Sequence, residues 1–205
     1  MALERRAWVG EVKCGERWPN VLKKLMKSQN LTLRDAEPSD AAARFQIGRD
    51  PEITRLFGVS RKDVMPLTHE ECADWVKGVQ DSDWAWVIDV NGPIGSCRLH
   101  SYDATTKSAT FAIAIFSNAH LGQGIGTIAT NLVLAYGFDE LSLKLIRLRV
   151  LAFNPRAIAC YKKCGFEEVA REPKGEFVDG EWVADIFMEL SQATFQKRKA
   201  ASLQA

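Results

Sequence analysis

Apolar positions along the chain change period several times, and each change marks a candidate element. Leu31-Thr-Leu-Arg34 alternates and stops at Asp35, which predicts a first short strand. Ser39 is placed to cap a helix running to about Gly48, and Pro51 opens another across Pro51–Phe57. Thr68 followed by Glu71 is a capping box for a helix to about Val79, with Trp75 and Val79 on its apolar side. The period then falls to two. Trp84–Val90 and Pro93–Tyr102 flank Asn91-Gly92, a pair that suits a type I′ hairpin turn. Ala109–Phe116 is almost continuously apolar, the pattern of a strand covered on both faces. After a glycine-rich turn at His120–Gly126, Ile125, Ile128, Leu132, Val133 and Tyr136 recur at helical spacing to about Phe138. Leu145–Leu151 reads as strand. Asn154 as N-cap, Pro155 in the first turn and Gly165 just past the end bound a short helix. Phe166–Val178 and Trp182–Leu190 form a last hairpin turning at Asp179-Gly180, and the polar tail Ser191–Ala205 reads as frayed.

The order β-α-α-α-β-β-β-α-β-α-β-β predicts one mixed α/β domain over about 31–190. Composition adds little to this, but charge does. The chain carries 27 Lys+Arg and 26 Asp+Glu, net +1, which excludes a broadly basic nucleic-acid binder and gives no reason to expect a membrane-surface partner. The near-neutral sum hides a partition. Residues 1–30 hold seven Lys/Arg and three Glu, and residues 191–205 hold Lys197, Arg198 and Lys199 with no acid. The remaining 17 basic and 23 acidic residues give 31–190 a net charge of −6. Trp8 and Trp18 in the basic extension predict that residues 1–30 pack on the domain or on a neighbouring subunit.

The charged N-terminal stretch does not read as a signal peptide, and no apolar run approaches the roughly 18 residues of a membrane-spanning helix. Five cysteines without a CxxC pair fit reduced thiols in a cytosol, so a cytoplasmic setting is expected. Cys160 and Cys164 share a helix face and read as small buried hydrophobes; no metal site is expected.

The chemistry centres on Leu121-Gly122-Gln123-Gly124-Ile125-Gly126-Thr127, between a strand and a helix. Glycines there allow a tight turn whose N–H groups, with the positive end of the helix dipole, suit a phosphate or pyrophosphate. A dinucleotide turn needs a third glycine where Thr127 stands, and a Walker A loop needs a lysine that does not follow. A coenzyme A pyrophosphate site and a plain structural turn are left.

With these residues the chain resembles the GNAT superfamily of acyl-CoA-dependent N-acetyltransferases. The family's Q/R-x-x-G-x-G/A signature opens a central helix, and Leu121–Gly126 supplies Gly124 and Gly126, with Leu121 where Gln or Arg is usual. Downstream, the run Asn154–Phe166 resembles the N-x-x-A-I-x-x-Y-x-K-x-G-F block through Asn154, Ala157, Ile158, Tyr161, Lys163, Gly165 and Phe166. That block is common in the branch containing ribosomal-protein N-terminal acetyltransferases and some aminoglycoside acetyltransferases. The resemblance covers about 31–190. It implies an α/β (α+β) fold, with a mixed, mostly antiparallel central sheet flanked by helices, and leaves the extension 1–30 and the tail 191–205 outside.

It also implies acetyl-CoA as donor substrate and a set of site residues. The backbone amides of Gln123, Gly124, Ile125, Gly126 and Thr127 are assigned to the pyrophosphate. The backbone of Ile115, Phe116 and Ser117 is assigned to the pantetheine arm, with Asn154 beside it. Tyr161 is the candidate general acid for the leaving thiolate, its phenol having an ordinary pKa near 10. At pH 7 an α-amine is neutral in roughly a tenth of molecules and a lysine amine in a few per ten thousand, so a base is optional for the first. Relatives often carry a glutamate on the preceding strand; here Ala109–Ile113 contains no acid. His120, His100, His69 and Asp103 are the candidate substitutes, each with an ordinary loop, strand or turn role, and no base is assigned.

Three functions follow from the resemblance. The favoured one is acetylation of a protein N-terminus or peptide amine. The others are acetylation of a small amine such as an aminoglycoside or polyamine, and non-catalytic acyl-CoA binding. Seven Arg/Lys against eleven Asp/Glu from Arg34 to Asp83 mildly favour a cationic acceptor. Trp84 and Trp86 point to one side of their strand and read as core rather than an aromatic substrate wall.

Overall fold

A computed structural model describes residues 23–28 and 30–202. Trp8 and Trp18 lie outside the described residues. Eight strands form one sheet in the order β1-β2-β3-β4-β5-β6-β8-β7. They are β1 (Met26–Ser28), β2 (Leu31–Arg34), β3 (Ala85–Asp89), β4 (Pro93–Asp103), β5 (Ser108–Ile115), β6 (Leu145–Leu151), β7 (Glu167–Val178) and β8 (Glu181–Ser191). Every neighbouring pair is antiparallel except β5–β6. The helices are α1 (Asp40–Ile47), α2 (Pro51–Arg55), α3 (His69–Gln80), α4 (Ile125–Ala135), α5 (Pro155–Cys164) and α6 (Gln192–Ser202). Among the described residues no helix is long and apolar enough to cross a membrane.

Two cores lie on opposite faces of the sheet. The larger joins Leu33, Trp84, Trp86, Leu99 and Ile146 to α4 and α5; the smaller joins Ala85 and Val87 to Val76 and Val79 of α3. Trp84 and Trp86 are at most 1% exposed, and the Trp86 indole donates to Lys24 O at 2.9 Å, so both are core.

Most local signals act where they stand. Thr68 and Glu71 cap each other's backbone at the start of α3. Asn154 accepts from Ala157 N–H at 3.1 Å, and Gly165 closes α5 in the left-handed region at φ 101°. The differences have tertiary causes. Ser39 makes no side-chain cap; the Asp40 carboxylate accepts from Glu37 N–H at 2.8 Å and pairs with Arg34. The β3–β4 loop spans Val90–Gly92 rather than two residues, with Asp89 opposite Pro93 and accepting from Gly92 N–H at 2.9 Å. Helix α4 stops at Ala135 and continues as a π-turn over Tyr136–Glu140. Ile128 on α4 is exposed, while Ala129 and Thr130 are buried in its place.

The tail read as frayed is the helix α6. It is docked by Phe195 against Phe138, with ring centroids 4.9 Å apart, and by Lys199 on Asp139 at 2.8 Å. Strand β5 is not covered on both faces along its length: Ala112 to Ile115 are only partly buried, and side chains from both faces line the site described next.

Candidate active site

β5 and β6 pair only from Ser108–Leu145 to Thr110–Arg147, then part, although β5 runs on to Ile115 and β6 to Leu151. A cavity of about 1010 Å³ fills the gap. The alternation of strand side chains divides its lining. Phe111 and Ile115 of β5 face the α4–α5 side. Thr110 and Ala112, cross-strand partners of His100 and Arg98, face the α1–α3 side, as does Ser96, whose hydroxyl receives the Trp75 indole at 3.2 Å.

On the first side the glycine turn meets α4. Gly124 sits at φ 80°, a left-handed conformation open to glycine, and occupies the N-cap position. The first helical bond is Ile128 N–H to Gly124 O at 3.0 Å. The N–H groups of Ile125, Gly126 and Thr127 therefore lie in the first turn, where the helix provides no acceptor and its dipole is positive. Tyr161 of α5 is buried, packs edge-on to Phe111 with centroids 6.4 Å apart, and lines the same cavity. Burial, with the neighbouring Cys160 and Cys164 thiols, pushes its phenol well above the usual tyrosine range, so it keeps its proton at neutral pH.

Of the expected site residues, Ile115, Phe116, Gly124, Ile125, Gly126, Thr127, Asn154 and Tyr161 line this cavity. Ser117 and Gln123 are not brought into the lining. Ser117 accepts from Ala119 N–H at 3.3 Å, and the exposed Gln123 amide donates to Ala119 O at 2.5 Å, so both side chains brace the turn. Cys164 is buried as expected, whereas Cys160 is partly exposed and lines the cavity.

Residues 30–167 match the model of the acetyltransferase (GNAT) domain. The chain belongs to the GNAT acetyltransferase family. It is accordingly an acetyl-CoA-dependent N-acetyltransferase. A spermidine N(1)-acetyltransferase of Vibrio cholerae is 31% identical over 105 residues, 51% of this chain and 60% of that enzyme. A putative ribosomal N-acetyltransferase of Bacillus subtilis is 24% identical, over 75% of this chain and 86% of the relative. The crystal structure of the Vibrio cholerae spermidine N-acetyltransferase in complex with CoA and spermine superposes with a TM-score of 0.68. That match is at 25% identity and covers 82% of this chain and 99% of the other.

The family's motifs do not reach the other half of the cavity, and sequence reading missed most of it. Arg44, Arg49, Arg98 and Arg149 line it, as does Glu176. Arg149 donates to Asp185 at 2.7 Å and lies 3.9 Å from Glu176; Arg49 lies 3.2 Å from Glu71. Burial, then the charge of Arg98, push His100 down to about 4, so its imidazole is neutral at pH 7. His120 also lines the cavity, with its Nδ1 buried and unpartnered among the described residues. His69 is exposed and stacks on Phe45 at 3.7 Å, and Asp103 accepts from Thr105 N–H at 2.8 Å, an ordinary turn contact. Of the acids counted between Arg34 and Asp83, Asp50 lines the cavity, whereas Asp40 and Glu52 are held by Arg34 and Arg61 and Glu71 by its capping box. The only signal for Arg98 and His100 was their alternate spacing on one strand.

Proposed function

We propose that this enzyme acetylates an α-amine, that of a peptide or protein N-terminus or of a free amino acid. The observation that carries this reading is the gap between β5 and β6, with the glycine turn and Tyr161 on one side and no carboxylate among Ala109–Ile113 on the other. In this reading the first-turn amides of α4 hold the coenzyme pyrophosphate, and the unpaired length of β5 runs beside the pantetheine arm. The neutral amine attacks the thioester carbon, giving a tetrahedral intermediate. Its collapse breaks the C–S bond, and the Tyr161 hydroxyl gives its proton to the departing thiolate. A neutral α-amine is abundant enough near pH 7 to need no strong base beforehand. After attack the nitrogen is acidic, and water in the cleft can take its proton.

Polyamine acetylation is the second reading, favoured by the 31% identity to the Vibrio cholerae spermidine enzyme over half of the chain. Both are tested by following free-thiol release from acetyl-CoA with α-amine peptides, amino acids, lysine side-chain analogues and spermidine. Faster release with spermidine than with any α-amine selects the second reading. Tyr161→Phe is expected to lower kcat by roughly 10²-fold or more while acetyl-CoA still binds. Unchanged turnover removes Tyr161 from the chemistry.

A further inference from the structure

Phe57 follows α2 and is 40% exposed, and it lines the cavity. The other exposed aromatic side chains have ring partners. Phe45 stacks on His69, and Phe177 packs edge-on to Trp182 with centroids 5.3 Å apart. Phe57 has no ring partner among the described residues. Ile53, Leu56 and Val59 of the same segment line the same cavity, which makes this wall apolar. The segment is also clamped. Gly58 sits at φ 90°, in the left-handed region, and a Cβ there would come within 2.9 Å of Glu176 Cγ. Asp179 accepts from Arg55 at 2.7 Å and from Arg61 N–H at 2.9 Å, and its own N–H donates to Ser60 Oγ at 2.9 Å. Phe57 is therefore carried on a fixed wall in the Glu176 half of the cavity, and covering its ring costs little further ordering.

The charged groups of that half already have partners. Arg149 donates to Asp185 at 2.7 Å, Arg49 to Met65 O at 2.9 Å, and Arg44 lies 4.0 Å over the Phe116 ring; Arg98 is engaged as well. Of the carboxylates lining the cavity, Asp50 accepts from Glu52 N–H at 2.8 Å and from the Asn118 amide, and Glu176 faces Arg149. A polyamine needs a carboxylate for each ammonium group it buries, whereas an apolar side chain needs only apolar surface to lie on.

We propose that Phe57 determines acceptor specificity by covering an apolar side chain carried on the carbon that bears the reacting amine. The acceptor is then an α-amine whose own side chain is aliphatic or aromatic. This rests on the α-amine reading above and narrows its acceptor. Such an amine has two sources, a free apolar amino acid or the first residue of a peptide.

The test compares kcat/KM, read as thiol release from acetyl-CoA, for matched acceptors. One arm sets peptide amides beginning with Leu or Phe against the same peptide beginning with Gly. The other sets free leucine and phenylalanine against free glycine, and spermidine is included in both. At least one arm is expected to favour its apolar members by roughly 30-fold or more, and the faster arm identifies the source. Phe57→Ala is expected to lower that ratio by roughly 5-fold or more, with most of the change in KM, and Phe57→Leu to restore part of it. Acetyl-CoA binding and the melting temperature serve as folding controls. Equal use of apolar and glycine acceptors in both arms, or an equal loss on both in Phe57→Ala, overturns this proposal and leaves the α-amine reading standing. A preference for spermidine, or no thiol release with any amine, overturns both.

Discussion

The imidazole of His100 sits beside the Arg98 guanidinium at the opening of the sheet, and that placement has a cost in acid. Its pKa is about 4 in the fold, pushed down by burial and then by Arg98, against 6.5 in an exposed histidine. Between those values the unfolded chain binds a proton that the folded chain refuses, so stability falls as pH falls from about 6.5 towards about 4. Above that window both states are neutral there and the effect vanishes. The full penalty is roughly 3 kcal/mol. His100→Gln is expected to flatten this part of the stability profile, measured as denaturant midpoints at pH 7 and pH 4.5; an unchanged slope would refute it. Tyr161, shifted upward by its own burial, keeps its proton across the same range. Tyr161 stands out in the chain because a tyrosine four residues before Gly165 falls inside a recognisable block. Arg98 and His100 do not, because alternation tells which residues share a face and not which face receives the cleft.

At the scale of elements, short-range rules predicted well where the cap and its partner are within four residues. Asn154 to Ala157 and Thr68 to Glu71 are of this kind. They failed at α1, where the entry is fixed by residues from other elements. Arg34 holds both Asp40 oxygens at 2.8 Å and reaches Asp89 on β3 at 2.7 Å. Asp40 is 3% exposed, and breaking a buried pair leaves the Arg34 charge without its main counterion. Asp40→Asn is expected to destabilise by about 3 kcal/mol, read as a lower midpoint in chemical unfolding. A loss no greater than that of an exposed control such as Lys77→Ala would contradict this account. Strand β5 shows the same limit: an apolar run predicts burial, but its second half lines the cavity with side chains from both faces.

Over the whole molecule, contacts between distant segments close the structure. Asp179, in the β7–β8 turn, accepts from Arg55 at 2.7 Å across 124 positions and from Arg61 N–H at 2.9 Å. The basic tail, which charge counting set apart from the body, returns as α6. Arg198 donates to Lys163 O at 2.7 Å, at the C-terminus of α5, and Phe195 covers Phe138. Phe195→Ala should cost about 2 kcal/mol and lower Tm by several degrees; no change in melting would show that α6 contributes no packing. Turn type, helix punctuation and the order of elements were legible because they depend on neighbours a few residues apart, whose sterics and hydrogen bonds need no other part of the chain. The glycine turn and the α5 block were legible for the same reason, since both are local motifs. The parting of β5 and β6, the docking of α6 and the gathering of Arg44, Arg49, Arg98 and Arg149 along the cavity were not. Each depends on side chains tens of residues apart meeting across the sheet, and only packing determines which of them line the cavity.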